Sequence, residues 1–433
     1  MKTKRFSLLA LLAALAMIVA ACGGDDASTE TTVGETAETT VAAETTTTVA
    51  EETTTTEAAP AAELLVWADE NRAAVIESVA PAFTEATGVG VTVEIVDFGQ
   101  IKDQVGVAGP AGEGPDVFVG AHDWTGELAA NGAIDPIDLS GKSEDFVDVA
   151  LAAFNFEGNL YAVPYATEAV AVYYNTDLVA EAPATFEELG DVCETAGAAN
   201  CMVIPGGGDA GDAYHNYPFV SALGGYIFAY DPATGYDASD VGLDSEAAVA
   251  GVQFLADQVE AGVVESTNYD NAANLFLEGN AAFWVTGPWE LGRLNEQTTV
   301  NWSVAKLPTI AGETPKPFVG AQGMFLSAFS ENKLVATSFL LDFVATEETM
   351  TALYEADPRN PAFVPTFDTL SDNPVAQTFA ASAADGNPMP NIPQMGSVWG
   401  PLGDNILLVR NGEATAADAM GAAAEAVRAA LAG

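Results

Sequence analysis

Carboxylates dominate the reactive groups of this 433-residue chain, with 62 Asp and Glu against 13 Lys and Arg and two His. Two carboxyls of different acidity can divide acid and base roles in a hydrolysis. With so many acids, however, pairings are easy to draw and poorly specific. Glu168 says more, because it interrupts an otherwise apolar run from Tyr165 to Tyr174, where an acid has no natural place in a packed core. Three Cys and two His leave no room for a Cys-rich zinc framework, and the acid clusters lack a calcium-loop spacing, so neither metal nor cofactor is expected. Gly206-Gly207-Gly208 lacks the following Lys-Ser/Thr and the strand-to-helix setting of a phosphate or dinucleotide loop. Cys193 and Cys201 stand eight apart; outside the membrane they are expected as a disulfide closing a short loop, the alternative being two buried thiols. The formal charge of -49 argues against nucleic acid, whose phosphates need clustered Lys and Arg, and against docking on anionic lipid through a basic patch. A hydrophobic share of 49% argues against a disordered acidic chain.

These groups need elements to place them. Glu63 to Trp67 reads as a buried strand, and Val75 to Ala86 has helical spacing through Val75, Val79, Ala82 and Phe83, ended by Gly88. Val91–Val96 and Asp116–Gly120 read as the next two strands. This βαβ rhythm implies parallel sheets covered by helices, whose ligands lie beyond the carboxyl ends of the strands. The loops after Trp67 and Val119 are therefore the first places to look. Thr185 to Glu188 suggests a capping box, Pro288 a first helical position, and residues 414–432 a last helix with Met420, Val427 and Leu431 on its apolar face. No internal repeat is present.

Residues 1–22 read as a secretory signal, with Lys2, Lys4 and Arg5 before an apolar run from Leu8 to Ala21 that is short for a membrane span. Val19-Ala20-Ala21-Cys22 resembles a bacterial lipobox, which implies cleavage before Cys22 and lipidation of its thiol. Residues 23–62 hold 14 Thr and nine acids with no Lys, Arg or aromatic residue, the composition of a disordered, self-repelling linker. The remainder, 63–433, carries 53 acids and 10 bases, a formal -43.

Seven runs together resemble the maltose/maltodextrin-binding proteins of ABC importers. They are Gly114-Pro115-Asp116-Val117-Phe118, Ala121-His122-Asp123, Pro164 to Ala169, Tyr174-Asn175-Thr176-Asp177-Leu178, Thr286-Gly287-Pro288-Trp289, Lys316-Pro317-Phe318-Val319-Gly320 and Met389 to Met395. They occur in the family's order, and the last is the most specific. The resemblance implies an α/β, two-lobe periplasmic-binding-protein fold (type II-like), each lobe a mainly parallel sheet flanked by helices. It places one lobe at 63–168 plus 319–364 and the other at 169–318 plus 365–433. Hinge crossings fall near 166–171, 317–320 and 360–366, and the lobes close on a sugar.

A pyranose has an apolar face and a rim of hydroxyls, so its site needs flat aromatics and short polar side chains. The resemblance implies such roles for Asp69, Glu70 and Arg72 after the first strand, Asp123 after the third, and Glu168 at the hinge. Tyr214, Trp289 and Trp399 would stack on sugar rings and Asp212 would bind a hydroxyl. His215 replaces an aromatic, and could stack or donate. Trp124 stands where enteric members carry Arg, and offers a stacking face or packs. His122 is expected to brace its loop. Gly120, Gly400 and Gly403 stand where Trp, Tyr and Arg are typical, which implies a wider pocket unless Trp124 refills it.

The resulting expectation is a non-enzymatic, monomeric lipoprotein on the outer face of the cytoplasmic membrane. It touches the membrane only through its lipid and passes maltose, maltodextrin or a related α-glucoside such as trehalose to ABC permease subunits. A secreted glycosidase is the main rival, because aromatic clefts with carboxylate pairs also suit glycoside hydrolysis. A sugar-sensing or adhesion module is the third reading.

Overall fold

The structure, a computed structural model, describes residues 63–208, 211–231 and 235–432. The expected signal, the lipid-bearing Cys22 and the linker lie outside the described residues. In chain order the strands that matter below are β1 (Glu63–Ala68), β2 (Gly90–Ile95), β3 (Val117–Ala121), β4 (Ala162–Glu168), β5 (Ala171–Asn175), β6 (Asn200–Ile204), β7 (Val264–Ser266), β8 (Ala281–Thr286), β9 (Trp302–Ala305), β10 (Phe318–Ser327) and β11 (Asn360–Pro361). The helices are α1 (Glu70–Thr87), α2 (Ala213–Ala222), α3 (Trp399–Arg410) and α4 (Ala416–Ala432).

One sheet has the order β11-β4-β10-β3-β1-β2, and the other β7-β6-β8-β5-β9. β1 is parallel to both β2 and β3, as the βαβ rhythm expects, and β6 is parallel to both β7 and β8. The remaining ladders of these two paths are antiparallel: β10 with β3 and β4, β11 with β4, and β5 with β8 and β9. The sheets are thus mixed rather than mainly parallel. β4 ends the chain's run in the first sheet at Glu168, and β5 opens its run in the second at Ala171. Only buried Ala169 and Val170 intervene, so the chain crosses from one sheet to the other with no helix between. Every residue of β4 and β10 is buried, so these strands show no period of two. Apolar material covers both of their faces.

Local chemistry sets the ends of α1. Asp69 caps it by accepting from the Asn71 backbone N–H at 3.1 Å, so the helix begins at Glu70, ahead of the apolar spacing that starts at Val75. Gly88 closes it in the left-handed region at φ 75°. The capping box expected at Thr185 and Glu188 does not form. Residues Phe186–Glu188 make a 3-10 turn with no side-chain cap, the Glu188 N–H going to the Thr185 carbonyl at 3.3 Å instead of its hydroxyl. Cys193 and Cys201 are joined as a disulfide with their Cα atoms 5.3 Å apart. Around the first sheet the core gathers Val66, Val119, Met324 and Phe339. α3 and α4 bury Ile406, Met420 and Val427 in the core that contains β6 and β8 residues. Among the described residues no helix is long and apolar enough to cross a membrane.

Candidate functional site

The carboxyl end of β1 delivers Asp69 and Arg72 into a buried chain of charges. Arg72 donates from Nη1 to Asp69 (2.8 Å), from Nε to the Tyr165 hydroxyl (2.8 Å), and pairs through Nη2 with Asp357 (3.1 Å). Asp357 also pairs with Nε of Arg359 (3.0 Å), whose Nη1 reaches Glu168 at 2.9 Å. The Gln322 amide donates to the other Glu168 oxygen at 3.1 Å. Burial opposes the charge on both arginines, yet the surrounding acids outweigh it and leave both guanidiniums above their ordinary pKa. These pairs stay incomplete as hydrogen bonds: Asp69 Oδ2, Gln322 Oε1, Glu168 Oε2, Asp357 Oδ2 and Arg359 Nε are buried without a hydrogen-bond partner. Such orphans ask for an explanation, and a ligand hydroxyl is one. Glu70, by contrast, is exposed on the first turn of α1, away from this chain.

The second sheet contributes aromatics. β8 ends at Thr286, and Pro288–Glu290 turns Trp289 into a cluster with Tyr214 and His215, each ring centre 5.7 Å away. The Trp289 indole N–H donates to the Tyr269 hydroxyl at 2.8 Å, and Tyr269 in turn bonds Glu290. Asp212 caps α2 by accepting from the His215 N–H (2.9 Å) and also holds His215 Nδ1 at 2.7 Å. Burial would raise the Asp212 pKa, but these bonds overcome it and hold the carboxyl below its usual value. His215 Nε2 lies 3.2 Å from the Thr286 hydroxyl, so His215 is fixed at both nitrogens. Trp399 opens α3 and meets Phe318 edge-on at 5.8 Å.

Tyr214 is where the two sets meet. Its hydroxyl is buried without a partner, and its phenol is raised well above its ordinary pKa by burial, with Glu168, Arg359, Asp123 and Asp212 all acting on it. The Arg359 guanidinium sits 5.7 Å from the Trp289 ring centre. Asp123 is half-buried after β3; burial raises its pKa, while the nearby His122, Lys102 and Trp399 oppose the rise. The chain of contacts thus includes Asp69, Arg72, Glu168, Asp212, Tyr214, His215, Trp289 and, through Phe318, Trp399, with Asp123 close enough to act electrostatically on Tyr214. A separate cavity of about 460 Å³, lined by Tyr217, Tyr226, Tyr236, Lys316 and Asn387, includes none of them.

Trp124 behaves differently. Its ring packs on Phe98 at 5.1 Å and lies over Gly120, 2.6 Å from where a Cβ would stand. It therefore refills the space that the glycine leaves. Gly403 opens no cavity either: a Cβ there would stand in ordinary contact, 3.4–3.5 Å from the backbone of Gly211, Asp212 and Ala213. Gly400 alone of the three faces open space. His122 is wholly buried and braces its loop: the Ala321 N–H donates to Nδ1 and Nε2 donates to the Met389 carbonyl, both at 3.0 Å.

Residues 78–384 match the family of bacterial extracellular solute-binding proteins. The chain belongs to that family. Among its relatives in the extracellular solute-binding group is a maltotriose-binding protein of Pyrococcus abyssi, 31% identical over 69% of this chain and 66% of that one. A galactooligosaccharide-binding protein of Bacillus subtilis is 27% identical over 98% and 96%. A maltooligosaccharide ABC transporter solute-binding lipoprotein of Streptococcus pneumoniae is 28% identical over 78% and 82%. These relatives are binding proteins rather than enzymes.

For this solute-binding protein, reading the sequence missed Arg359, Asp357, Tyr165, Gln322 and Tyr269. A signal for the first was available. Arg359 is one of only ten bases in residues 63–433 and lies between Pro358 and Pro361, beside an expected hinge crossing. So scarce a cation at such a place invites the question of which acids it serves.

Proposed function

We propose that the chain is the lipid-anchored receptor of an ABC importer, taking a maltose-type oligosaccharide between its two sheets and passing it to permease subunits. The observation that carries this reading is the convergence of Trp289, Asp123, Glu168 and Asp212 around the buried, unpartnered hydroxyl of Tyr214, with Trp399 joined through Phe318 and Asp69 through the Arg72–Asp357–Arg359 chain. Flat rings suit the apolar face of a pyranose, and fixed carboxylates suit its hydroxyls. The names of the Pyrococcus and Streptococcus relatives support an α-glucan. A galactooligosaccharide is the second reading, favoured by the relative that covers almost the whole chain.

The lobes would be 63–168 plus 319–364 and 169–318 plus 365–433, closing about the crossings that flank Ala169, Pro317 and Asn360. Cys22 would carry the lipid. Glu70 has no part in this site, and Trp124 shapes its wall. A ligand that binds only the native state raises its melting temperature by mass action. The test is a thermal-shift panel of maltose, maltotriose, maltotetraose, trehalose and galactotriose. Stabilisation by the α-glucans is expected. A response to galactotriose alone would move the reading to the galactan, and a response to none of the five would overturn it.

A further inference from the structure

A bound hydroxyl both donates and accepts, so a saccharide site needs donors as well as acceptors. Here the ionised groups offered are mostly carboxylates, which only accept. The donors are nearly all engaged within the protein. The Trp289 indole N–H goes to Tyr269. Both ring nitrogens of His215 are held, by Asp212 and Thr286. Arg72 uses Nε, Nη1 and Nη2 on Tyr165, Asp69 and Asp357. Beside Trp289 two donor groups remain: the Tyr214 hydroxyl and the Arg359 guanidinium, whose Nε makes no hydrogen bond and whose Nη2 pairs with no acid.

Arg359 is nearly buried and held from two sides, with Nη1 on Glu168 and Nε on Asp357. Among the described residues its Nη2 makes no bond. The planar fork is thereby fixed in one orientation before a ligand arrives, and little side-chain freedom is left to lose on binding.

We propose that Arg359 is a ligand-contacting residue whose Nη2 donates to an oxygen of the saccharide seated at Trp289. Glu168 then acts chiefly through Arg359, since one of its oxygens is paired with the guanidinium and the other with the Gln322 amide. Asp357 is a positioning residue shared between Arg72 and Arg359. The assignment rests on the proposed saccharide function and adds a charged donor to the Tyr214 hydroxyl.

The test uses calorimetric titration of the full chain with maltotriose and with its monodeoxy analogues. Arg359→Lys keeps the charge but loses the fork. Wild type should lose affinity for one monodeoxy analogue in particular. Arg359→Lys should bind maltotriose roughly 10- to 100-fold more weakly, as expected for a lost charged hydrogen bond, and should no longer discriminate against that analogue. A folded Arg359→Lys that binds within about twofold of wild type overturns the assignment and leaves the saccharide reading intact. A wild-type chain that binds no oligosaccharide overturns both. A crystal structure of the wild-type complex decides without a variant: Nη2 within about 3.2 Å of a sugar oxygen supports the assignment, and a gap beyond about 4 Å overturns it.

Discussion

At position 120 a methyl group would stand 2.6 Å from the Trp124 ring and 2.9 Å from Phe325. Gly120 is therefore required by its neighbours. Trp124 is in turn held by its packing on Phe98, over whose ring the Arg72 guanidinium lies at 5.7 Å. Gly120→Ala is expected to cost about 1–3 kcal/mol of stability, the usual range for forcing extra volume into a packed site. Adding Trp124→Ala should return part of that loss, because the clash is then removed. Urea unfolding of the two single variants and the double variant gives the coupling. Strictly additive losses would mean that the ring and the glycine do not share this space. The glycine at 120, which in the sequence suggests a widened pocket, is half of a ring-for-ring exchange between neighbouring positions.

At the scale of elements, His122 ties the loop after β3 to β10 and to the segment at Met389. Burial lowers its pKa, so the imidazole is kept neutral in the folded chain. The sign follows directly. An unfolded histidine takes up a proton below about pH 6.5, and the folded one resists it. Stability is thus intact above that pH and is lost as pH falls from about 6.5 towards the lowered folded value. His122→Gln should weaken the fold at pH 7 by about 1–3 kcal/mol, by leaving a buried N–H or carbonyl unpaired, and should flatten this acid-side slope. Parallel stability curves for variant and wild type between pH 7 and 5 would remove His122 as the source. The sequence showed much at this scale. β1 to β3 are visible as apolar runs, Gly88 as a helix stop, and Trp289 and Trp399 as helix-start aromatics. Strand direction was not legible, because a strand buried on both faces, such as β10, reads the same whether its neighbour runs with it or against it. Arg359 was missed for a related reason: its partners Glu168 and Trp289 come from distant stretches of chain, and only the packed sheets bring them to it.

For the whole molecule the charge imbalance decides the response to salt. Residues 63–433 hold 53 acids and 10 bases, and the salt bridges among the described residues engage nine carboxylates. The bases are therefore largely spent, and most of the acids have no base left to pair with. Two opposed effects of salt follow. Screening weakens exposed pairs such as Arg428 with Asp244, which are worth about 0–1 kcal/mol each, and it also relieves repulsion among the many unpaired carboxylates. The core chain from Asp69 through Arg72, Asp357 and Arg359 to Glu168 is buried and feels little of either. Repulsion has far more members than attraction, so relief should win. The melting temperature at pH 7 is expected to rise by several degrees as sodium chloride goes from about 10 mM to about 500 mM, most steeply at the low end, where the Debye length shrinks from about 30 Å to below 10 Å. A flat or falling melting temperature would mean that the surface acids are arranged far enough apart, or paired well enough, for their excess to carry no cost in stability.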